Sequence, residues 1–191
     1  YLKEKVDAGC SFLTSQMFFD NNLFYNFLYK IREAGITVPV IPGVMPITNA
    51  NQVERAIKLS GSHMPQRFKS LVDKFGSDPA AMKQAGIAYA TDQIIDLIAN
   101  GVKELVVVAQ DVTVFGHDRK EDGENLSTLL QELDKLEGDF RIRLLYTHPA
   151  HYTDELIATV KNSKHVLHYL DIPLQHISER FMFQLRHLPG I

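Results

Sequence analysis

One cysteine, Cys10, stands in a sequence of 191 residues, and that scarcity sets the first bounds. A lone thiol allows no intrachain disulfide, so a reducing compartment, the cytoplasm, is expected. A cluster held by several of the chain's own cysteines is excluded. Long apolar runs are absent too: no stretch approaches the roughly 20 residues that a membrane span needs. Signal-peptide patterning is lacking, and the chain opens on Tyr1 in the helical-looking YLKEKV, which reads as the cut end of a longer protein. Clustered Lys and Arg are missing, and the net charge is −3, so neither nucleic acid nor an anionic membrane is expected as a partner. No GxGxxG, P-loop, HExxH or GxSxG pattern occurs, which removes the common local signatures of nucleotide, zinc and serine chemistry. Low-complexity linkers and tandem repeats are also wanting, so a single domain over residues 1–191 is expected. At 45% hydrophobic and 23% charged residues, that domain has the composition of an ordinary globular core.

What is present is an alternation of strand and helix signals. CSFLTSQMFF reads as a strand ending at the capping cluster Asp20-Asn21-Asn22, and LFYNFLYKIREAG as the helix after it, stopped by Gly35. VPVIPGVMP reads as a second strand with prolines at tolerated places, and NANQVERAIKLSG and PQRFKSLVDKFG as two helices. Asp78 with Pro79 opens a long helix that ends by Gly101. ELVVVA is a short apolar run suited to a strand buried on both faces. Helix LSTLLQELDKLEG, strand RIRLLY, helix TDELIATVKN, strand HVLHYLDIP and helix SERFMFQLRH complete the series. Such alternation predicts βαβ units and an α/β fold with a mostly parallel sheet. The pattern supplies about five strands where a closed (βα) barrel has eight, so a partial barrel or an open sheet is expected.

Polar residues at the carboxyl ends of these strands are the candidates for chemistry, because ligands sit there in α/β proteins. Gln16, Gln110, Asp111, Asp171, Gln175 and His176 hold such positions. Asp111 and Asp171 suit acids, bases or hydroxyl-binding groups, although carboxylates that brace loops are the commoner case. Gln16 equally suits a side chain bonding loop backbone. Asn49 with Gln52 three residues on matches a capping box, which explains Gln52 structurally. Gly43, between two bulkier residues, fits either a close ligand approach or a tight turn. His148, His151, His165, His168 and His176 match no metal-ligand spacing, and no metal site is expected. His165 and His168 lie an odd number of residues apart, so one strand would point them to opposite faces. His117-Asp118 falls in the polar stretch FGHDRKEDGEN, most simply a solvated connection.

Two resemblances add to this reading. KVDAG, TSQMFFDN, VPVIPGVMPITN and GIAYATDQIIDLIANGVK together resemble the C-terminal part of the methylenetetrahydrofolate reductase barrel, over residues 1 to about 103. That resemblance implies a flavin-dependent oxidoreductase passing hydride from a nicotinamide through FAD to a folate. Matched residue by residue, Gln16 corresponds to a glutamine contacting the folate, Gln52 to one near the shared folate and nicotinamide position, and Lys5 to a lysine near the flavin phosphates. From about residue 101 to 187 the chain resembles a different family, the radical-SAM methylthiotransferases that modify a ribosomal protein. ELVVVAQDVTVFGHD, IRLLYTHPAHYTDELI and YLDIPLQHISERFMFQLRH carry that likeness. It implies another (βα) barrel, with S-adenosylmethionine bound on a [4Fe–4S] cluster.

The chain therefore reads as a chimera of two barrel fragments, engineered or made by deletion, with its seam near residues 98–105. The resemblance implies that the reductase's N-terminal strands and most of its flavin loops are missing. The CxxxCxxC motif of the second family is missing as well, so no iron–sulfur cluster is expected and radical-SAM chemistry is excluded for this chain. A catalytically silent hybrid that retains no cofactor is the expected outcome. Residual FAD or folate binding with reductase-like activity is the alternative, and a methylthiotransferase-like fragment without its cluster the second. Strand edges left open by a partial barrel predict a homodimer.

Overall fold

The structure, a computed structural model, describes residues 1–109, 111–116 and 125–172. Its elements run in the expected alternation: α1 (Leu2–Asp7), β1 (Leu13–Met17), α2 (Asn21–Glu33), β2 (Val40–Val44), α3 (Ala50–Ser60), α4 (Gln66–Phe75), α5 (Pro79–Ala99), β3 (Glu104–Val107), α6 (Leu126–Leu133), β4 (Arg141–Leu144) and α7 (Asp154–Asn162). The fold is α/β, and the four strands form one parallel sheet in the order β1-β2-β3-β4. Sequential order with a helix in each crossover is the arrangement of a (βα) barrel wall. Among the described residues a fifth strand position is marked by the parallel bridge between Ile142 and Val166. It ends quickly because the Tyr169 amide turns back to the Leu167 carbonyl at 2.8 Å and leaves the ladder. The helix expected over residues 178–187 and the loop residues His117 and Asp118 lie outside the described residues.

By its internal contacts the chain divides into two compact units, Tyr1–Val106 and Val107–Ile191. In the first unit the helices begin where the sequence places caps. Asp20 accepts the Asn22 amide at 2.9 Å, and Asp78 accepts those of Ala80 and Ala81 at 2.9 and 3.1 Å, with Pro79 at the first helical position. Each bond satisfies a donor that the first turn leaves without an intrahelical partner. Along α5 the residues Met82, Gly86, Tyr89, Gln93 and Leu97 are buried at helical spacing, which defines the stripe it turns inward. A core of Met17, Phe19, Ile47, Val53, Phe68, Met82 and Tyr89 forms on that side, with Phe19 and Phe68 stacked at 4.7 Å between ring centres. Gly86 permits the closest approach: a Cβ there would lie 1.8 Å from the Ile47 carbonyl oxygen.

One expectation about local structure is corrected. Asn49 caps α3, but its side chain accepts from the Asn51 amide at 2.9 Å, and Gln52 is exposed instead of reaching back to the cap. The cap carbonyl, meanwhile, takes the Gln52 amide at 3.0 Å, which satisfies that donor without the side chain. A capping box is formed instead at α6, where Asn125 and Thr128 each satisfy the other's backbone amide. A threonine in the third position performs there the role usually taken by Glu or Gln.

In the second unit α6 packs against α7. Leu126, Leu129, Leu130 and Leu133 from α6 and Leu156 and Val160 from α7 are buried, as are Phe140, Ile142, Leu144 and Val166. The apolar spacing of both helices thus serves the core it predicts.

Candidate functional site

In the first unit, the candidate with the most distinctive backbone is Gln16. Pro42 sits inside β2 and lacks the N–H that a ladder needs. Opposite it β1 bulges: Thr14 pairs with Ile41 and Met17 with Gly43, so three steps on β1 face two on β2. Ser15 fills the gap by accepting the Gly43 amide on its hydroxyl at 3.0 Å. Gly43 is buried and engaged in this contact. Bulges re-aim side chains at the rims of sheets, and Gln16 stands exposed within this one.

The loop after Gln16 is clamped by α5. Gln93, buried, donates to the Phe18 carbonyl at 3.1 Å and to Asn21 Oδ1 at 3.2 Å. Asn21 returns its amide to the Gln93 carbonyl at 3.0 Å and to Asp96 at 2.7 Å, and Tyr25 donates to the same Asp96 oxygen at 2.6 Å. The Tyr89 hydroxyl donates to the Phe19 carbonyl. The Tyr25 hydrogen bond, seconded by Asn21, holds the Asp96 carboxyl below the usual aspartate range. Burial first, then Asp96, pushes the Tyr25 phenol up. Sequence reading took Asn21 as a cap and missed this clamp, since its partners lie about seventy residues away. Gln93 and Asp96, three residues apart on the otherwise apolar end of α5, were the only local trace.

Lys5 and Gln52 belong to other elements. Lys5 is exposed on α1 with its ammonium 4.5 Å from the Tyr1 ring centre, and Gln52 is exposed in the first turn of α3. No hydrogen bond or ion pair joins Lys5, Gln16 and Gln52 among the described residues. Cys10 donates to the Phe12 carbonyl at 2.9 Å.

The second unit gathers three strand ends. Asp111 accepts the Thr113 amide at 2.9 Å and the Thr113 hydroxyl on one oxygen, and meets His151 Nδ1 at 2.7 Å with the other. Burial opposes the charge on Asp111, but Thr113 and His151 outweigh it and hold the carboxyl below its ordinary range. The His148 ring packs 4.9 Å from His151, and the His148 amide donates to the Thr113 hydroxyl at 3.2 Å. Asp171 accepts the Tyr146 amide at 2.9 Å, which braces Tyr146 in a left-handed conformation at φ 57°. Its carbonyl takes the Thr147 amide and hydroxyl at 3.0 and 2.6 Å. Both carboxylates therefore brace loops, and both also charge the surroundings of Tyr152. Burial, then those charges, raises the Tyr152 phenol against an opposing effect of Thr147. His165 is buried and His168 exposed, although the pair does not share a regular strand: the adjacent Val166 is buried as well. Among the described residues no group of three His, Cys, Asp or Glu side chains is arranged to hold a metal. Gln110, Gln175 and His176 lie outside the described residues.

Comparison with known proteins divides the chain in the same two directions. The methylenetetrahydrofolate reductase family model matches residues 1–111. The methylenetetrahydrofolate reductase (NADH) 1 of Zea mays is 34% identical over 105 residues, covering 55% of this chain and 18% of that protein. The ribosomal protein uS12 methylthiotransferase RimO of Opitutus terrae is 44% identical over 106 residues, 49% of this chain and 22% of that protein. Its counterpart in Akkermansia muciniphila is 46% identical over 99 residues. The chain thus spans about a fifth of the length of the relatives it matches. The family match runs past the expected limit near residue 103 to 111. Through its first 111 residues, more than half of its length, the chain belongs to the methylenetetrahydrofolate reductase family.

Proposed function

We propose that this reductase-family chain is a hybrid of two (βα) barrel fragments that catalyses the reaction of neither parent. The observation that carries the reading is how little of either parent is present: the chain spans about a fifth of the length of the relatives it matches. A flavin site shared among many strand ends is poorly held by a minority of them. On the methylthiotransferase side, a radical-SAM cluster takes three thiolates, and the chain has one cysteine. Two fragments built from the same βαβ unit can cover one parallel sheet, so folding survives where catalysis does not. The change of resemblance near residues 98–105 is the proposed seam of this hybrid.

A second reading keeps residual flavin or folate binding with weak reductase-like activity. The bulge at Gln16 favours it, since the clamp from α5 holds that exposed amide at a strand end whatever becomes of the rest. The visible spectrum of the purified protein, before and after FAD is added and the excess removed, separates the two. A colourless protein that retains no FAD agrees with the silent hybrid. A retained flavin band sinks it, and assays with a reduced nicotinamide and a folate would then follow. A cytoplasmic location and a homodimer, with no nucleic-acid partner, belong to this proposal.

A further inference from the structure

His148 opens a 3-10 turn over Pro149–His151 and caps it, its Nδ1 accepting the Ala150 amide at 3.2 Å. A ring nitrogen that accepts carries no proton, so the neutral His148 ring has its N–H at Nε2. The turn returns His151 to Asp111, whose second oxygen lies 2.7 Å from His151 Nδ1. Burial opposes the charge on Asp111 most, yet Thr113 and His151 together hold its carboxyl below the ordinary range. A carboxylate only accepts, so His151 Nδ1 is the donor and the lone pair of the neutral ring is at Nε2. One ring thus has a lone pair and the other an N–H, with ring centres 4.9 Å apart. We propose that Asp111 and His151 form a general base, with His148 as the hydrogen-bond donor beside it, in a site that hydrolyses aryl esters.

A carboxylate on Nδ1 fixes an imidazole in the tautomer that takes protons at Nε2. One threonine supports both rings: the Thr113 hydroxyl donates to Asp111 and accepts the His148 amide at 3.2 Å. As a water oxygen bonds to the ester carbonyl carbon, His151 Nε2 takes the water proton. The carbonyl π pair moves to oxygen, where the His148 N–H stabilises the charge. When the C=O bond re-forms, the bond to the aryl oxygen breaks, and that oxygen leaves with the proton from His151. Ester and water become acid and phenol, with nothing oxidised or reduced. The His151 side chain is 35% exposed and His148 is exposed, so water and ester reach both rings. An aromatic ester is favoured by Tyr146, 51% exposed, whose carbonyl takes the Val112 amide, next to Asp111, at 3.1 Å. Its left-handed backbone is the kind of strain that collects at functional sites. These residues follow β3 and β4, on the side where ligands bind in α/β sheets. The site needs neither flavin nor cluster, so it is independent of the hybrid's fate as a reductase.

Hydrolysis of 4-nitrophenyl acetate by the full chain, followed through the coloured phenolate, tests this. His151→Gln should lower kcat/KM by about 100-fold, the lower end of what a positioned base contributes. Asp111→Asn, which turns an N–H toward Nδ1 and so reverses the tautomer, should approach the same loss. His148→Gln should lower kcat with little change in KM, while His168→Gln, at an exposed histidine outside the site, should leave both unchanged. In the unaltered chain the reaction should slow in deuterium oxide and show no burst of phenolate before the steady state. A parent rate no higher than that of folded His151→Gln overturns the proposal. So does a burst equal to the protein concentration, which would mark a histidine as nucleophile, or a rate indifferent to deuterium oxide.

Discussion

At the scale of single residues, close approach and charge decide more than side-chain identity. Gly86 is small because the Ile47 carbonyl occupies the space a methyl would take. Gly86→Ala should destabilise the first unit by about 2–3 kcal/mol, the range of an overpacked core, as read by urea unfolding. An effect within experimental error would mean that α5 and the chain at Ile47 are not held so tightly. Asp96, Asp111 and Asp134 all have carboxyls held below their ordinary values. Groups depressed in the folded state contribute stability above the unfolded aspartate range, and that stability is lost as pH falls through the folded values. Unfolding free energy should therefore drop in acid, and Asp111→Asn should flatten part of that slope. Gln16 was legible here as a residue type at a strand end, but its setting in a bulge was not, since the bulge answers a proline on another strand.

At the scale of elements, caps and clamps divide between what neighbours along the chain can specify and what they cannot. Asp78 with Pro79 is a local signal, and the bonds form where the signal lies. Asp78→Ala should cost about 1 kcal/mol, measurable as a lowered denaturation midpoint. The clamp on the loop after β1 is of the other kind. Gln93→Ala strips the donor from the Phe18 carbonyl and from Asn21, so about 1–3 kcal/mol should be lost. Proteolysis in the loop Phe18–Asp20 should quicken in that variant; an unchanged cleavage rate would show that Tyr89 and the core hold the loop alone. The misassigned capping box at Asn49 belongs at this scale too. A motif of residue types cannot say whether the backbone already meets the need that the side chain would serve.

At the scale of the molecule, the sheet order leaves β1 with one neighbour, β2, among the described residues. An open edge presents unpaired backbone groups and invites another strand. The chain should therefore sediment as a dimer whose fraction rises with concentration; a monomeric mass at high concentration would refute that. Both sets of relatives account for about half of the chain each, and by its internal contacts the chain divides into two compact units at Val106. Contacts within each unit arise from residues distant in sequence, so composition could not reveal that boundary.

The sequence by itself determined the α/β class, the order of the elements, most helix caps, the single thiol and the two resemblances. Each of these depends on periodicity, on neighbours a few residues apart, or on residue counts. Tertiary structure alone decided that Pro42 would bulge β1 at Gln16, that Asn21 would join Gln93 and Asp96, and that Asp111 would meet His151. Those pairings cross tens of residues, and only the packing of the folded chain brings their partners within hydrogen-bond reach.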